Sequence, residues 1–182
     1  KSILFYLPIW IESFTDLKPN FHAKEDFIFI GNFYHEPNWD SVLVLKNEIW
    51  PKLKELLPNT KLNIYGAYPK QKVFQLHNPK ERFFICGRAE SAEDVIRNAR
   101  VLLAPIRFGA GIKGKLLEAM EYGTPSVTTS IGAEAMHDNL AWNGFIEDDF
   151  SDFISKIVEL YSNQEVWEES VENGYNIIQH KF

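Results

Sequence analysis

Six short apolar runs, FIFIGN (27–32), LNIYG (62–66), RFFICG (82–87), VLLAPI (101–106), SVTTS (126–130) and GFIE (144–147), are separated by helix-length segments. This alternation constrains the fold more than any other feature of the chain. Strands joined by crossovers of a dozen or so residues pair in parallel. A parallel sheet needs both faces covered, so the segments between the runs must be helices packed on two sides. The expectation is a doubly wound α/β domain with a mostly parallel, six-stranded, Rossmann-like sheet.

The helical segments carry their own punctuation. Residues 38–50 place apolar side chains at 39, 42, 43, 45, 49 and 50, and Pro51 is expected to kink or interrupt this helix before KLKELL continues it. Ser91 with Asp94 three residues later has the form of a helix cap. KGKLLEAMEY ends at Gly123 and Pro125, in the order that stops a helix. Two acidic helices are expected near 150–162 and 164–179. Residues 1–22 stand outside the alternation and read as a linker or edge segment, which leaves 23–182 as the domain.

Composition excludes several classes. The 182 residues suffice for one domain with a real core. A single cysteine, Cys86, allows no intrachain disulfide and suits a reducing cytoplasm; in an apolar strand it reads as core rather than nucleophile. The apolar run Ile3–Ile11 is too short to span a bilayer and lacks the flanks of a signal peptide. Lys1 in place of an initiating Met suggests a piece of a longer chain. Residues 147–172 carry nine acids against Lys156 alone, a net −8 in a chain of −6, so the remainder sums to +2. That distribution argues against nucleic acid as a partner. Histidines 22, 35, 77, 137 and 180 show no metal-ligand spacing, and Asp148–Asp149 opens a helix rather than forming a metal dyad.

Against this background, RFGAGIKGKLLEAMEYGTP (107–125) stands out, because it crowds Arg107, Lys113 and Lys115 around three glycines at a helix start. The helix macrodipole favours negative charge at that end. Either the helix tolerates a small penalty, or something anionic completes the site. GAGIKGKL nearly fits the P-loop pattern, but Leu116 stands where a magnesium-binding hydroxyl is required. Gly109, Gly111 and Gly114 let backbone N–H groups approach a ligand, Lys115 adds a cation, and a diphosphate fits without a metal. Glu118, three residues on and on the same helix face, is placed to accept bonds from a ribose diol, the alternative being a surface ion pair with Lys115. Leu116, Leu117, Ala119 and Met120 supply the buried side. In doubly wound sheets such a loop meets others at the C-terminal strand ends, here GNFYHEPN and GRAES.

KLLEAMEYGTPSVTT, preceded by LLAPIRFGAGIKG and followed by IGAEAM, resembles the donor-sugar half of a group 1 (family 4) glycosyltransferase with the B-type, two-domain fold. FIFIGNFYHEPNWDSVLVLKNEIWP is similar to the opening strand and helix of the same half, and the likeness covers about residues 24–180. The resemblance implies retaining transfer of a sugar from a UDP- or GDP-linked donor to an acceptor, such as a glycan or lipid-linked saccharide, held by a separate N-terminal domain. It implies no metal cofactor, a cytoplasmic location and peripheral membrane association of the full-length protein.

By this resemblance Lys115 matches the cation on the donor diphosphate, and Glu118 matches the second glutamate of the family's E-x7-E motif, on the ribose. The first glutamate falls at Ala110 and is replaced by a GxGIK-type loop of Gly109, Gly111, Ile112 and Lys113, whose backbone would take over the sugar contact. The early Gly-rich loop corresponds to Gly31, Asn32 and His35, without the usual Arg and Lys beyond it. His35 either reaches the cleft or is a polar loop residue near a helix cap. Arg88 either lines the nucleotide site, where the family reads the base, or pairs with Glu90 or Glu93. The expected chemistry is electrostatic stabilisation of the departing diphosphate by Lys115 and the 111–113 backbone. A nucleotide-binding or interaction module without chemistry is the alternative, and a P-loop triphosphatase the weaker one.

Overall fold

A computed structural model describes residues 19–182. Ile3–Ile11 and most of the 1–22 segment lie outside the described residues. Six strands, β1 (Glu25–Asn32), β2 (Leu62–Ala67), β3 (Phe83–Gly87), β4 (Ala99–Ala104), β5 (Ser126–Thr128) and β6 (Gly144–Ile146), form one sheet in the order β3-β2-β1-β4-β5-β6. Every pairing is parallel. The chain winds outward from β1 to β3, then crosses back to β4 on the other side of β1. The switch point therefore lies between β1 and β4.

Side chains along a strand alternate between the two faces of the sheet, and the core divides accordingly. Phe27, Phe29, Val101 and Leu103 pack on one face with α1 (Glu36–Val44), α2 (Trp50–Leu56) and α7 (Phe150–Ser162). Ile28, Leu102 and Ala104 pack on the other, against α4 (Ala92–Asn98), α5 (Gly114–Glu121) and Ile177 and Ile178 of α8 (Gln164–Lys181). Two short helices, α3 (Gln71–Phe74) and α6 (Ser130–Ala133), complete the set.

The interruption expected at Pro51 takes the form of a π-helical turn, Leu45–Ile49, that joins α1 to α2. Proline has no N–H to offer the preceding turn, and a widened turn absorbs the mismatch. The Ser91 cap is present, its Oγ accepting from the Asp94 N–H at 3.1 Å. α5 buries Leu116, Leu117, Ala119 and Met120. Asp149 caps α7 through two N–H groups, and Asp148 accepts from Ser130, so this acidic pair is structural.

Two readings change. Cys86 is exposed rather than core, because β3 is an edge strand whose faces are unequally covered. Phe21, in the segment expected to be a linker or an edge addition, is buried and meets the Trp167 ring edge-on at 5.7 Å between centroids. The packed body thus takes in residues before 23.

Candidate functional site

The C-terminal ends of β1, β2 and β3 and the first turn of α5 enclose a cleft of about 460 Å³. Its floor is Ile30–Asn32 and Gly66–Ala67, one wall is the β3–α4 turn at Arg88–Glu90, and the other is Lys115 and Glu118 with Asn38 of α1. Close approach of the strand ends depends on Gly66. A Cβ there would stand 2.2 Å from the Phe33 ring and 2.5 Å from the Gly31 carbonyl oxygen.

Of the three cations around the glycine loop, only Lys115 enters this cleft. Arg107 makes a bidentate pair with Asp40, at 2.9 and 2.5 Å, which ties the loop to α1. Lys113 occupies the cap position of α5 and donates to the Gly111 carbonyl at 2.5 Å. Lys115 turns inward. Its ammonium donates to Asn38 Oδ1 and sits 4.3 Å from the centroid of the Phe29 ring. Burial pushes this amine down to about 7; Glu118 pulls it back up, and Lys113 adds to the depression.

Glu118 lines the cleft one turn further along the same helix. The ion pair that a Lys115–Glu118 spacing of three allows is not formed; among the described residues the Glu118 carboxylate accepts no hydrogen bond. Burial pushes its carboxyl up, neighbouring Glu121 adds to this, and Lys115 opposes it. Leu116, where a P-loop would need a hydroxyl, is buried in the core.

At the start of α5 no acid stands in the first turn and Lys113 makes no side-chain cap bond. The first N–H groups of a helix have no partner within it. In α5 the Leu116 and Leu117 N–H groups both donate to the Lys113 carbonyl, at 2.8 and 3.2 Å, which leaves those of Gly114 and Lys115, without an acceptor among the described residues, as donors for an anion, reinforced by the helix dipole.

The other expected residues divide. Gly31, Asn32 and Arg88 line the cleft. Arg88 pairs with neither Glu90 nor Glu93, since Glu93 takes Arg97 at 2.7 Å. His35 does not line the cleft; it is the exposed residue before α1 and makes no side-chain cap bond. Gly109, Gly111, Ile112 and Lys113 form a loop outside the cleft lining, with Ile112 43% exposed. Gly109 and Gly111 take φ of +124° and +78°, a region L side chains avoid. Asn38 was missed. Its only sequence signal is a polar residue in the first turn of an otherwise apolar-patterned helix, immediately after Pro37. No group of three or more His, Cys, Asp or Glu that could hold a metal ion occurs among the described residues.

Comparison with known proteins gives the family. The family model "Glycosyl transferases group 1" matches residues 24–163. The chain belongs to that family. A protein described as an uncharacterised 44.6 kDa protein in the cps region of Klebsiella pneumoniae is 24% identical over 162 residues, covering 85% of this chain and 42% of its own. Among solved structures, S. aureus TarM in complex with fondaparinux, α-GlcNAc-glycerol and UDP superposes with a TM-score of 0.75 at 16% identity, over 93% of this chain and 35% of TarM. The C-terminal domain of LpcC, a group 1 family glycosyl transferase from Francisella tularensis, does so at 0.62 and 16% identity, over 92% and 93% of the two chains. WaaG, a glycosyltransferase involved in lipopolysaccharide biosynthesis, is similar at 0.66 and 18% identity. This group 1 chain spans less than half the length of the Klebsiella protein and of TarM, and nearly all of the LpcC domain. No helix of the described residues is long and apolar enough to cross a membrane.

Proposed function

We propose that this group 1 domain binds the nucleoside-diphosphate sugar, UDP- or GDP-linked, for a retaining glycosyltransferase. The diphosphate lies between Lys115 and the start of α5, the ribose hydroxyls meet Glu118, and the base rests against the Arg88–Ala92 wall. One observation carries this reading. Lys115 and Glu118 face one switch-point cleft from successive turns of α5 without pairing, leaving a cation and an acceptor available to different parts of one ligand. When the bond between the sugar's anomeric carbon and the diphosphate breaks, negative charge accumulates on the leaving phosphate. A fixed ammonium and helix N–H donors stabilise that charge where it develops. The backbone of the loop 109–113, which leads directly into α5, takes the sugar contact.

The acceptor, a glycan or lipid-linked saccharide, is held by another domain of the whole protein, which acts in the cytoplasm or at the inner membrane face. Titrating the chain with UDP, GDP and ADP, with Mg²⁺ or with EDTA, tests the reading. Diphosphate binding that survives EDTA and is lost in Lys115→Ala is the expected result; strict Mg²⁺ dependence, or no binding to any of the three, overturns it. The chain alone is expected to transfer no sugar.

A further inference from the structure

Asn38 uses both ends of its amide. Nδ2 donates to the Asn32 carbonyl at 2.8 Å, and Oδ1 accepts from the Lys115 ammonium. A carbonyl only accepts and an ammonium only donates, so these partners determine the amide's orientation. The amide lies against the backbone of Gly31, where a Cβ would come within 2.7 Å of its Cγ. A single side chain of α1 thus joins the end of β1 to the first turn of α5 across the floor of the cleft. The ammonium is seated between a neutral oxygen and an aromatic face, with no carboxylate of the described residues in ion-pairing distance.

We propose that Asn38 is the positioning residue of this cleft, holding the Lys115 ammonium in place with a neutral acceptor so that its whole charge is offered to an anion. The identity of that anion as a diphosphate rests on the function proposed above; the positioning itself does not. The amide rather than a carboxylate is the essential choice. A carboxylate would seat the ammonium equally well, but would cancel its charge and repel phosphate. A methyl group would leave the charge intact but let the lysine swing toward Glu118, three residues along the helix. The charged groups around the amine are Glu118 and Lys113 on α5 and Arg88 and Glu90 on the β3–α4 turn, while Asp40 of α1 is taken by Arg107.

Two variants and two measurements test this. Competitive acetylation of amines from pH 6 to 10, read by peptide mass spectrometry, reports the titration of Lys115 without any ligand. Asn38→Asp is expected to raise the Lys115 midpoint by at least about one pH unit, as an adjacent opposite charge does. Asn38→Ala is expected to raise it by a smaller amount, as the released ammonium moves toward Glu118, with Lys181 and Lys156 unchanged in both. In calorimetry with UDP and GDP at pH 7.5, Asn38→Ala should weaken binding about tenfold, the loss of one hydrogen bond to a charged group. Asn38→Asp should weaken it about a hundredfold, through a new anion at the site. Lys115 labelling unchanged in both variants overturns the positioning role whatever the nucleotides do. Shifted labelling in the variants, with a wild-type chain that binds neither nucleotide, upholds the positioning and removes the proposed function instead.

Discussion

Lys24 and Lys115 stand at opposite ends of α5, each seated by neutral acceptors. Lys24 donates to the Gly123 carbonyl and the Thr124 hydroxyl, both at 2.7 Å, just beyond the helix C-terminus, while Lys115 donates to Asn38 at the other end. A cation at the C-terminus complements the helix dipole, and one at the N-terminus opposes it. The first arrangement closes a helix. The second makes sense as part of a site.

Stability should rise with pH between about 7.5 and 9.5. Burial first, and then Arg97, push the Lys24 amine down to about 7; burial does the same for Lys115. In the unfolded chain both return to the ordinary value of 10.5. Below about 7 both states are protonated and these lysines contribute no pH dependence. Above it the unfolded chain binds more protons, so unfolding becomes less favourable, by up to about 1.4 kcal/mol per pH unit for each lysine. Urea midpoints measured across this window check the sign, and Lys24→Met should remove part of the slope. A midpoint that falls as pH rises over this range would show that neither amine is depressed.

Nucleotide binding should run the other way. The diphosphate favours the charged form of Lys115, so affinity is expected to fall as pH rises above about 7, approaching tenfold per unit until the amine of the complex titrates. The terminal phosphate ionises at about pH 6, so its own charge changes little above pH 7. Lys115→Arg is the control. A guanidinium stays charged throughout, so whatever affinity it retains should be independent of pH from 7 to 9.5 in the same titration.

The glycines separate into two kinds. Gly66→Ala places a methyl group against backbone and a buried ring at once, and should cost about 2–3 kcal/mol in denaturant unfolding. Gly111 has open space where a Cβ would go, and only its positive φ resists substitution. Gly111→Ala should therefore cost about 1–2 kcal/mol of local strain. Equal losses at the two positions would mean that the loop at 109–113 is packed rather than open.

The layout of this domain was readable because parallel strands are buried on both faces and so appear as apolar runs. The β4 run, read as Val101–Ile106, begins earlier because Ala99 pairs with Glu25, and it ends at Ala104 before Pro105. The short helix α6 was not foreseen, since its one cap, Thr129 to the Gly132 N–H, follows directly on a strand. Lys115 and Glu118 could be picked out because three residues on a helix keep them on one side. What pairs with what could not. Arg107 finds Asp40 and Asn38 finds Lys115 across 67 and 77 residues, and no local pattern encodes such partners. This is why Arg107 looked like a ligand-binding cation and Asn38 looked like nothing.

Glu118 offers the sharpest test of ligand orientation. Its carboxylate is half-buried in the cleft with no hydrogen bond from the described residues, and acceptors withdrawn from water are costly to leave unpaired. A ribose diol supplies two donors to two carboxylate oxygens. If the ribose lies there, 2′-deoxy-UDP should bind the wild-type chain more weakly than UDP by about tenfold, the value of one hydrogen bond to a charged group. In Glu118→Ala the two nucleotides should bind alike, because the group that distinguishes them is gone. A discrimination that persists unchanged in Glu118→Ala would move the ribose to another part of the cleft, while leaving the diphosphate on Lys115 to be judged by its own variant.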